Sequence, residues 1–383
     1  MNPARSGANE VRRLRVRKGW ACTGRVIRKW RRLRGSLGRC GPDPYIFRAD
    51  RLRAGERVPR VRFLEYLADC RPLTDEEMRR VVGEDQNPVT RVARYHLGWT
   101  EANGTPITGS SGGKQLRAGL LLLACEALGG GRAGLPAAAA IELFHAMTLL
   151  HDDIMDRDRQ RRGRPAAWTI WGEATAINAG DLLLTRAFAA LAEFGADPTA
   201  SIRRMADACG AVIRGQQLDL QFETRSAVSA SEYEQMIALK TATLFGLALE
   251  MGAVAAGCDS DPWRRLGHQL GLAFQMRDDA LGIWGDPQVT GKPAGGDLRR
   301  GKKSLPVVLY VQAGGQIPAT VATDEDVRTL LDRFDEAGVA SQMRERLTGI
   351  QAHCRDLVGG LAVKKNYAQM LDEMVDLVAD RDY

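Results

Sequence analysis

Three carboxylates fall within five residues of the segment LLHDDIMDRDRQRRGRP, residues 149–165, and arginines follow them closely. They are Asp152, Asp153 and Asp156, and the preceding residues 137–151 contain no Gly or Pro and predict an apolar helix. On that helix Asp152 and Asp156 lie one turn apart, where their like charges repel each other. Mg²⁺ would offset the repulsion, because it binds carboxylate oxygens and shares its coordination shell with substrate phosphates. A solvated acidic helix face is the alternative that this segment alone leaves open.

A second segment has the same order of apolar helix, paired carboxylates and cations. Asp278 and Asp279 end the run LGLAFQMRDD, and Gln275 lies one helical turn before Asp279 on the same face. A loop rich in Gly and Pro comes next. Five cations lie in this loop and just after it: Lys292, Arg299, Arg300, Lys302 and Lys303. Two such clusters favour a metal-bound diphosphate site over two unrelated solvated faces.

Further cations lie where a phosphate could bind. Gly112 and Gly113 precede a predicted apolar helix that starts near Lys114, which places Lys114 and Arg117 on its first turn. The free N–H groups and positive dipole of a helix start suit a diphosphate, although two solvated charges are the alternative. Lys240 lies inside another apolar helix, where it either extends to water or meets an anion.

Composition places the chain among ordinary globular proteins. It has 383 residues, of which 44% are hydrophobic and 26% charged, enough for one large domain or two ordinary ones. No stretch is expected to reach the ~20 apolar residues of a membrane span. No secretory signal is recognised, and the seven cysteines form no CxxC pair. These features predict a cytoplasmic protein, and the scarcity of strand patterns predicts an all-α body.

The basic residues are concentrated at the N-terminus. Residues 1–60 contain 18 Lys and Arg but 4 Asp and Glu, a net charge of +14, whereas the rest of the chain has 36 basic and 43 acidic residues, a net charge of −7. Few apolar residues accompany this charge, so the segment is predicted to be disordered in isolation. It could dock to a partner or to an anionic surface, or result from a start codon assigned too early. The acidic body argues against nucleic-acid binding.

We place a boundary between a basic extension, residues 1–72, and a helical domain, residues 73–383. On either side of it two local patterns predict helices. Residues 61–70 predict a short helix, and Thr74 with Glu77 three residues later predicts a capping box at the start of the next one.

From about residue 90 to its end, the chain resembles a trans-isoprenyl diphosphate synthase of the polyprenyl synthetase family. Five motifs occur in the family's order, which makes the resemblance specific. They are GGKQLR, HDDIMD with the RRG that follows, GQQLDLQFE, the Lys240–Thr241 pair, and FQMRDD with GDPQVTGKPAGGDLRRGK. Two positions depart from the family pattern. Ala118 replaces the usual Pro after GGKxxR, and Gly282 replaces the third Asp of the second acidic motif.

The resemblance implies a single all-α helical bundle with both acidic clusters facing a central cavity. Three Mg²⁺ ions would be bound there by Asp152, Asp156 and Asp278, with Asp153 and Asp279 in support. It also implies three groups of residues around the substrates. The allylic diphosphate would be held by Arg161, Lys240, Lys292 and Lys302, the carbocation would lie near Thr241 and Gln275, and isopentenyl diphosphate would be held by Lys114, Arg117, His145 and Arg162.

The resemblance further implies a homodimer that catalyses head-to-tail condensation of isopentenyl diphosphate with an allylic diphosphate. Phe144, Met147 and Thr148, one to two turns beneath Asp152, would set the product length. In the family an aromatic at the place of Met147 tends to mean a shorter product, and a small residue a longer one. The intermediate Met favours geranylgeranyl diphosphate, with farnesyl or longer prenyl diphosphates as alternatives. A class I terpene cyclase shares the fold and is a rival, but it would not need GGKxxR.

Overall fold

The computed structural model describes residues 62–108, 113–285, 295–318 and 320–379, and it confirms that the protein is all-α. Residues 1–60, predicted to be disordered, lie outside these ranges, whereas residues 62–72 of the predicted extension form the start of the first helix. The helices are α1 (Arg62–Val82), α2 (Pro88–His96), α3 (Leu116–Ala127), α4 (Leu135–Met155), α5 (Ala167–Trp171), α6 (Glu173–Ala192), α7 (Pro198–Glu223), α8 (Ala230–Ile237), α9 (Thr243–Ala255), α10 (Asp261–Trp284), α11 (Gly296–Arg299), α12 (Leu305–Gln312), α13 (Asp324–Glu336), α14 (Val339–Gly359) and α15 (Lys365–Ala379). A short antiparallel hairpin pairs β1 (Gln160–Arg161) with β2 (Arg164–Pro165), and a π-helical turn (Ala238–Ala242) joins α8 to α9.

The apolar helices pack around each other in two adjoining hydrophobic cores. In the first core α4 packs along α6, and α9 packs against both α3 and α10. Four consecutive alanines of α4, residues 137–140, are fully buried, and their small side chains allow close packing. The second core contains residues of α8, α10, α12, α13 and α14. Helix α10, which carries Asp278 and Asp279, contributes buried residues to both cores. Packing therefore holds this helix along most of its length.

Helix α1 runs without a break across the predicted boundary at residue 72. Phe63 and Leu67, which precede that point, are buried in the first core. Pro72 removes one backbone hydrogen bond from the helix, but burial of its apolar face outweighs that loss. Thr74 therefore lies inside α1, where it is buried and donates to Cys70 O at 3.3 Å. The separate short helix and the capping box predicted here are wrong.

One helical stretch, Ala230–Ala255, is long and apolar enough to cross a membrane, contrary to the expectation that no stretch would be. It consists of α8, the π turn and α9. Of its most apolar window, 67% is buried inside the protein, against neighbours that include α3, α7 and α10. Its packing is that of a core helix.

Candidate active site

The first acidic cluster lies at the C-terminal end of α4. Asp156 caps the helix, and its N–H donates to Asp152 O at 2.8 Å, so the two side chains project from consecutive turns. Burial raises the pKa of Asp152 to about 6, with Lys240 opposing the shift and Asp156 adding to it. Burial also raises the pKa of Asp156, although this residue is exposed to water. Water reaches the carboxylates although protein partly surrounds them, and the part of the surface that they line is here called the acidic recess.

Asp153 is buried beside this recess, with 1% of its surface exposed. Arg161 Nε donates to Asp153 Oδ1 at 2.7 Å, and Arg161 Nη2 reaches the same oxygen. Arg161 belongs to β1, and the hairpin turn consists of Arg162 and Gly163, which have φ values of 52° and 73°. Two positive φ angles match the twist of a two-residue hairpin. The hairpin thus reverses the chain after α4 and places two adjacent arginines, Arg161 and Arg162, back at the end of that helix.

The second acidic pair is divided between water and protein. Asp278 on α10 is exposed, whereas Asp279 is 1% exposed. Asp279 accepts hydrogen bonds from Gln275 Nε2 at 3.0 Å, from Leu305 N at 2.9 Å and from the hydroxyl of Tyr233. No local sequence pattern marks Tyr233, which comes from α8. These bonds make Asp279 a positioning residue and leave Asp278 as the carboxylate that is open to a ligand.

Lys302 interacts electrostatically with both acidic clusters. Burial disfavours its charge, but Asp279 and Asp297 outweigh burial and raise its pKa. Burial raises the pKa of Asp156 in the first cluster and that of Asp279 in the second, and Lys302 opposes both shifts. The same ammonium therefore favours the charged form of a carboxylate in each cluster. Lys292, the other loop lysine predicted to bind diphosphate, lies outside the described residues.

Lys240 and Thr241 lie in the π turn, an element that the sequence pattern did not predict. Lys240 Nζ forms an ion pair with Asp219 Oδ2 of α7 at 2.6 Å, so this lysine meets an anion instead of extending to water. Thr241 Oγ1 donates to Gln275 Oε1 at 2.8 Å. Since Gln275 also bonds Asp279, the turn is connected by side chains to the second acidic pair. Single π turns inside α-helices occur frequently at functional sites.

Two glycines allow the π turn to lie between α7 and α10. A Cβ atom on Gly215 of α7 would overlap the backbone nitrogen of Lys240. On the other side, a Cβ atom on Gly271 of α10 would overlap the backbone of Ala242. Backbone atoms cannot rotate aside as a flexible side chain does, so both positions require glycine for this close approach.

We expect Gly215→Ala to lower both stability and turnover. The added methyl must displace the turn, an overpacking that costs about 1–3 kcal/mol, and the displacement separates Lys240 from Asp219. Thermal unfolding and steady-state kinetics measure the two effects. Gly210→Ala on the same helix is the matched control, because its Cβ would meet only the end of the Arg214 side chain, at 3.3 Å. An unchanged Tm and kcat in Gly215→Ala would contradict the packing argument.

The loop before α3 approaches the hairpin. The helix starts at Leu116, later than predicted, because Gln115 has a left-handed backbone conformation with φ of 51°. Lys114 therefore precedes the helix and does not lie on its first turn. A Cβ atom on Gly113 would lie 2.7 Å from Arg162 Nη2. The GGKQLR segment and the RRG turn, far apart in the sequence, thus meet.

Arg117, Arg162 and the uncharged ring of His145 form a separate group, here called the arginine–histidine group. Burial lowers the pKa of His145 well below its ordinary value, and the two arginines lower it further. Burial also lowers the pKa of Arg117, whose guanidinium lies 4.9 Å from the centre of the Phe245 ring. Within the described part of the chain, Arg117 Nε has no hydrogen-bond partner. A buried donor without a partner is costly, and an anionic ligand would satisfy it.

Glu142 is the carboxylate that balances this group, and our sequence analysis did not select it. It is 7% exposed, and its Oε1 accepts a hydrogen bond from Ala118 N at 3.0 Å. Burial raises the pKa of Glu142, and Arg117 and Arg162 oppose the shift. Proline at position 118 would have no N–H, so Ala118, a departure from the family pattern, supplies a donor to a buried carboxylate. Glu142 could have been identified from the sequence, because it is the single carboxylate in the apolar run AAAAIELFHAM.

The imidazole of His145 is expected to remain neutral between about pH 5.5 and 8, because its pKa lies well below the ordinary value of about 6.5. Its ring signals in NMR spectra should therefore not shift across this range. The exposed His353 provides a reference signal in the same spectra. Arg117→Gln removes a neighbouring charge and should raise the pKa of His145. A His145 signal that titrates at its ordinary pKa in the wild type would contradict this prediction.

The predicted chain-length residues lie on α4 beneath the acidic recess. Phe144 is fully buried, Met147 is 6% exposed and Thr148 is half-buried. Met147 lies one turn before His151 on the same side of the helix. His151 Nε2 lies 3.2 Å from Ile177 O of α6. The side of α4 that carries Met147 therefore faces α6.

The carboxylates of the acidic recess fit a magnesium site that a substrate completes. Among the described residues, no three His, Cys, Asp or Glu side chains already surround one point as metal ligands. Mg²⁺ binds to one or two protein carboxylates and takes its remaining oxygens from phosphates and water. Asp152 and Asp156 on α4 and Asp278 on α10 carry such oxygens. Burial raises the pKa of the first two, repulsion from neighbouring carboxylates adds to the shift, and a divalent cation would offset that repulsion.

Known proteins match most of the chain in sequence and structure. The family profile described as polyprenyl synthetase matches residues 105–329. A (2E,6E)-farnesyl diphosphate synthase from Mycobacterium bovis is 34% identical over 342 residues, covering 84% of this chain and 94% of that protein. A geranylgeranyl diphosphate synthase from Mycobacterium tuberculosis is 42% identical over 261 residues, covering 67% and 73%. The crystal structure of a polyprenyl synthetase from Streptomyces coelicolor aligns with a TM-score of 0.78 at 35% identity, covering 82% of this chain and 99% of that one.

Proposed function

The chain belongs to the polyprenyl synthetase family and is a prenyltransferase, and we propose that it condenses isopentenyl diphosphate with an allylic diphosphate in a magnesium-dependent reaction. The observation that supports the proposal is the presence of two separate groups of charged residues, each of which suits a diphosphate. One is the acidic recess, where the two carboxylate clusters share Lys302. The other is the arginine–histidine group around His145. The first suits a metal-bound diphosphate that leaves, and the second suits a diphosphate that stays.

In the acidic recess the allylic diphosphate would be bound through Mg²⁺. Asp152, Asp156 and Asp278 would hold three such ions, whose chemistry is to stabilise the negative charge of the leaving diphosphate. Lys240 and Lys302 would neutralise further charge on its oxygens, with Lys292 and Arg161 as additional cations. Asp219 fixes the ammonium of Lys240 at 2.6 Å, so the cation is in place before the substrate binds.

Thr241 and Gln275 would face the allylic carbon as its bond to oxygen breaks. Thr241 donates its hydroxyl proton to Gln275 Oε1, so the lone pairs of Thr241 Oγ1 remain available to face positive charge. Gln275 Nε2 is bonded to Asp279 at 3.0 Å, which fixes the orientation of its amide. These preset dipoles stabilise developing positive charge without reorganising during the reaction.

Isopentenyl diphosphate would be bound by the arginine–histidine group together with Lys114. Arg117 Nε would gain the acceptor that it lacks, Arg162 would add a second guanidinium, and neutral His145 would donate one ring N–H. Glu142 holds both guanidinium groups near the site through its buried charge. The double bond of isopentenyl diphosphate would then attack the allylic cation to form the new carbon–carbon bond. A proton would leave the adjacent carbon and pass to the departed diphosphate.

We further propose that the main product is geranylgeranyl diphosphate and that the enzyme is a cytoplasmic homodimer. Met147, of intermediate size and almost fully buried, supports the length. Two large apolar side chains on the adjacent helices α6 and α7, Ile177 and Ile213, are 43% and 59% exposed, which supports a second copy as their cover.

The test is incubation of the purified protein with isopentenyl diphosphate, Mg²⁺ and dimethylallyl, geranyl or farnesyl diphosphate, followed by sizing of the products. We expect elongated prenyl diphosphates, loss of activity in excess chelator and its recovery when Mg²⁺ is restored. A cyclic hydrocarbon without elongation would indicate a terpene cyclase instead. Sedimentation of the same preparation measures the oligomeric state.

Residues 1–60 of the basic extension are proposed to be separable from the catalytic body. Their composition is too poor in apolar residues to build a core, and the first motif begins at Gly112. Deleting residues 1–60 should leave kcat within a few-fold of that of the full chain, as measured by the same product assay. A truncated protein that folds, by circular dichroism, but has no activity would show that the extension helps to form the site.

A further inference from the structure

The space beside Gly282 is filled by a carboxylate from another helix. Gly282 lies one turn after Asp278 and Asp279 on the same side of α10. A Cβ atom on Gly282 would overlap Asp297 Oδ2 of α11 and would lie 3.2 Å from Asp297 Oδ1. Asp297 therefore occupies the place that a side chain at position 282 would need.

Asp297 in turn holds Arg300. It is 4% exposed, and its Oδ1 accepts a hydrogen bond from Arg300 Nη2 at 2.8 Å, while half of the Arg300 side chain remains exposed. Burial opposes the charge of Arg300, but Asp297 raises its pKa, and Asp158 and Asp156 raise it further. Asp156 belongs to the first acidic cluster. Arg300 thus pairs with Asp297 beside the second cluster, and a carboxylate of the first cluster favours its charged form.

We propose that Arg300 is a further cation for the allylic diphosphate, and that Asp297, in the space left by Gly282, is the residue that positions it. The identity of the ligand rests on the proposed function. A guanidinium has five N–H donors in a planar fork, so donors remain for a phosphate after the bond to Asp297 is made. Arginine suits this role because its fork matches phosphate oxygens.

The surroundings of Asp297 argue against the alternative that it is itself a metal ligand. One of its oxygens is bonded to Arg300, and the other is packed against the backbone of Gly282. With 4% of the residue exposed, little of the carboxylate can reach a ligand in the acidic recess. Its contribution therefore passes through Arg300.

The neighbouring arginine provides a matched control. Arg299 Nη1 donates to Ala322 O at 2.7 Å, and its Nη2 pairs with Asp324 at the start of α13. These bonds involve neither acidic cluster. Two adjacent arginines of the same helix end thus have different partners, and only Arg300 lies near the acidic recess.

The test is calorimetric titration of the full-length protein with inorganic pyrophosphate in the presence of Mg²⁺. Arg300→Gln and Asp297→Asn should each weaken binding on the order of ten-fold, the effect of losing one hydrogen bond to a charged group. The double variant should bind little more weakly than either single variant, because Asp297 acts through Arg300. Arg299→Gln should bind as the wild type does. In the product assay, the first two variants should raise the KM for the allylic substrate and leave that for isopentenyl diphosphate nearly unchanged.

Wild-type pyrophosphate affinity in Arg300→Gln would overturn the proposal, and additive effects in the double variant would overturn the positioning role of Asp297. If Asp297→Asn does not fold, Gly282→Ala serves in its place, since the new methyl must push the carboxylate away from its site; the same weakening is expected. The binding measurement needs no turnover. A wild-type protein that binds pyrophosphate but forms no prenyl product would therefore count against the proposed function and not against the role of Arg300.

Discussion

Asp152→Asn is expected to lower kcat by about three orders of magnitude, and Asp278→Asn by a similar factor, because a lost metal contact removes several kcal/mol of transition-state stabilisation. Asn preserves the size of the side chain but lacks the negative charge that binds Mg²⁺. The two residues belong to different helices, α4 and α10, so each variant removes a charge from a different acidic cluster. Steady-state kinetics at saturating substrate and several Mg²⁺ concentrations measure the effect.

The fold should survive these changes. Burial raises the pKa of Asp152 to about 6, which means that the folded protein disfavours the charged form. Since a raised carboxyl pKa stabilises the folded state only below that pKa, the neutral Asn should keep or increase the Tm of the metal-free protein at pH 7.5, about 1.5 units above it. Asp207→Asn, on the exposed side of α7, is the control for a simple loss of charge and should retain wild-type kcat. Wild-type kcat in Asp152→Asn, or full activity in excess chelator, would remove the basis of the proposed mechanism.

Helical periodicity allowed the positions within each cluster to be predicted. Asp152 and Asp156 lie one turn apart because α4 extends to Met155, and the apolar run before them determines that helix. Gln275 and Asp279 are bonded at 3.0 Å for the same reason, since residues four apart on a helix share a face. Relations of this kind depend only on local sequence.

The partners that complete the clusters could not be predicted in this way. Asp219, Tyr233, Glu142 and Asp297 each reach the site from a different helix, and tertiary packing determines where they lie. The π turn that carries Lys240 is a further example. Its register depends on the close approach of Gly215 and Gly271 from two other helices, and no local pattern reports such an approach.

Two helix starts were predicted wrongly, near Thr74 and at Lys114. In both places tertiary contacts outweigh the local sequence preference on which the prediction was based. Pro72 is unfavourable inside a helix, yet α1 continues through it because the apolar face on both sides is buried. At α3, Lys114 has no feature that excludes it from the helix. The start is delayed because Gln115 takes a left-handed conformation, and its Nε2 donates to Asp75 Oδ1 of α1 at 2.6 Å. The bond to α1 joins segments that are far apart in the sequence.

Substitutions of Met147 are expected to change product length while leaving the chemistry intact. The growing chain must extend away from the acidic recess, and one helical turn rises about 5.4 Å, which is close to the length of one isoprene unit. Met147 lies on the side of α4 that faces α6, one turn before His151. Met147→Phe places a rigid ring in this space and should shorten the main product by one isoprene unit. Met147→Ala opens the space and should lengthen it.

The competing possibility is that Met147, at 6% exposure, is only a core residue and that another helix stops the chain. The two possibilities differ in what accompanies the change. If Met147 is only a core residue, Met147→Ala lowers the free energy of unfolding by about 2–5 kcal/mol and leaves the product length unchanged. If Met147 belongs to the floor, the side chains at the end of the cavity that stop chain elongation, the product becomes longer. Met147→Leu, which conserves volume, is the matched control and should retain the wild-type product. Chromatographic sizing of the dephosphorylated products decides between them. If the Phe and Ala variants both give the wild-type distribution, the floor lies elsewhere, and Phe144, fully buried one turn deeper, becomes the next residue to vary.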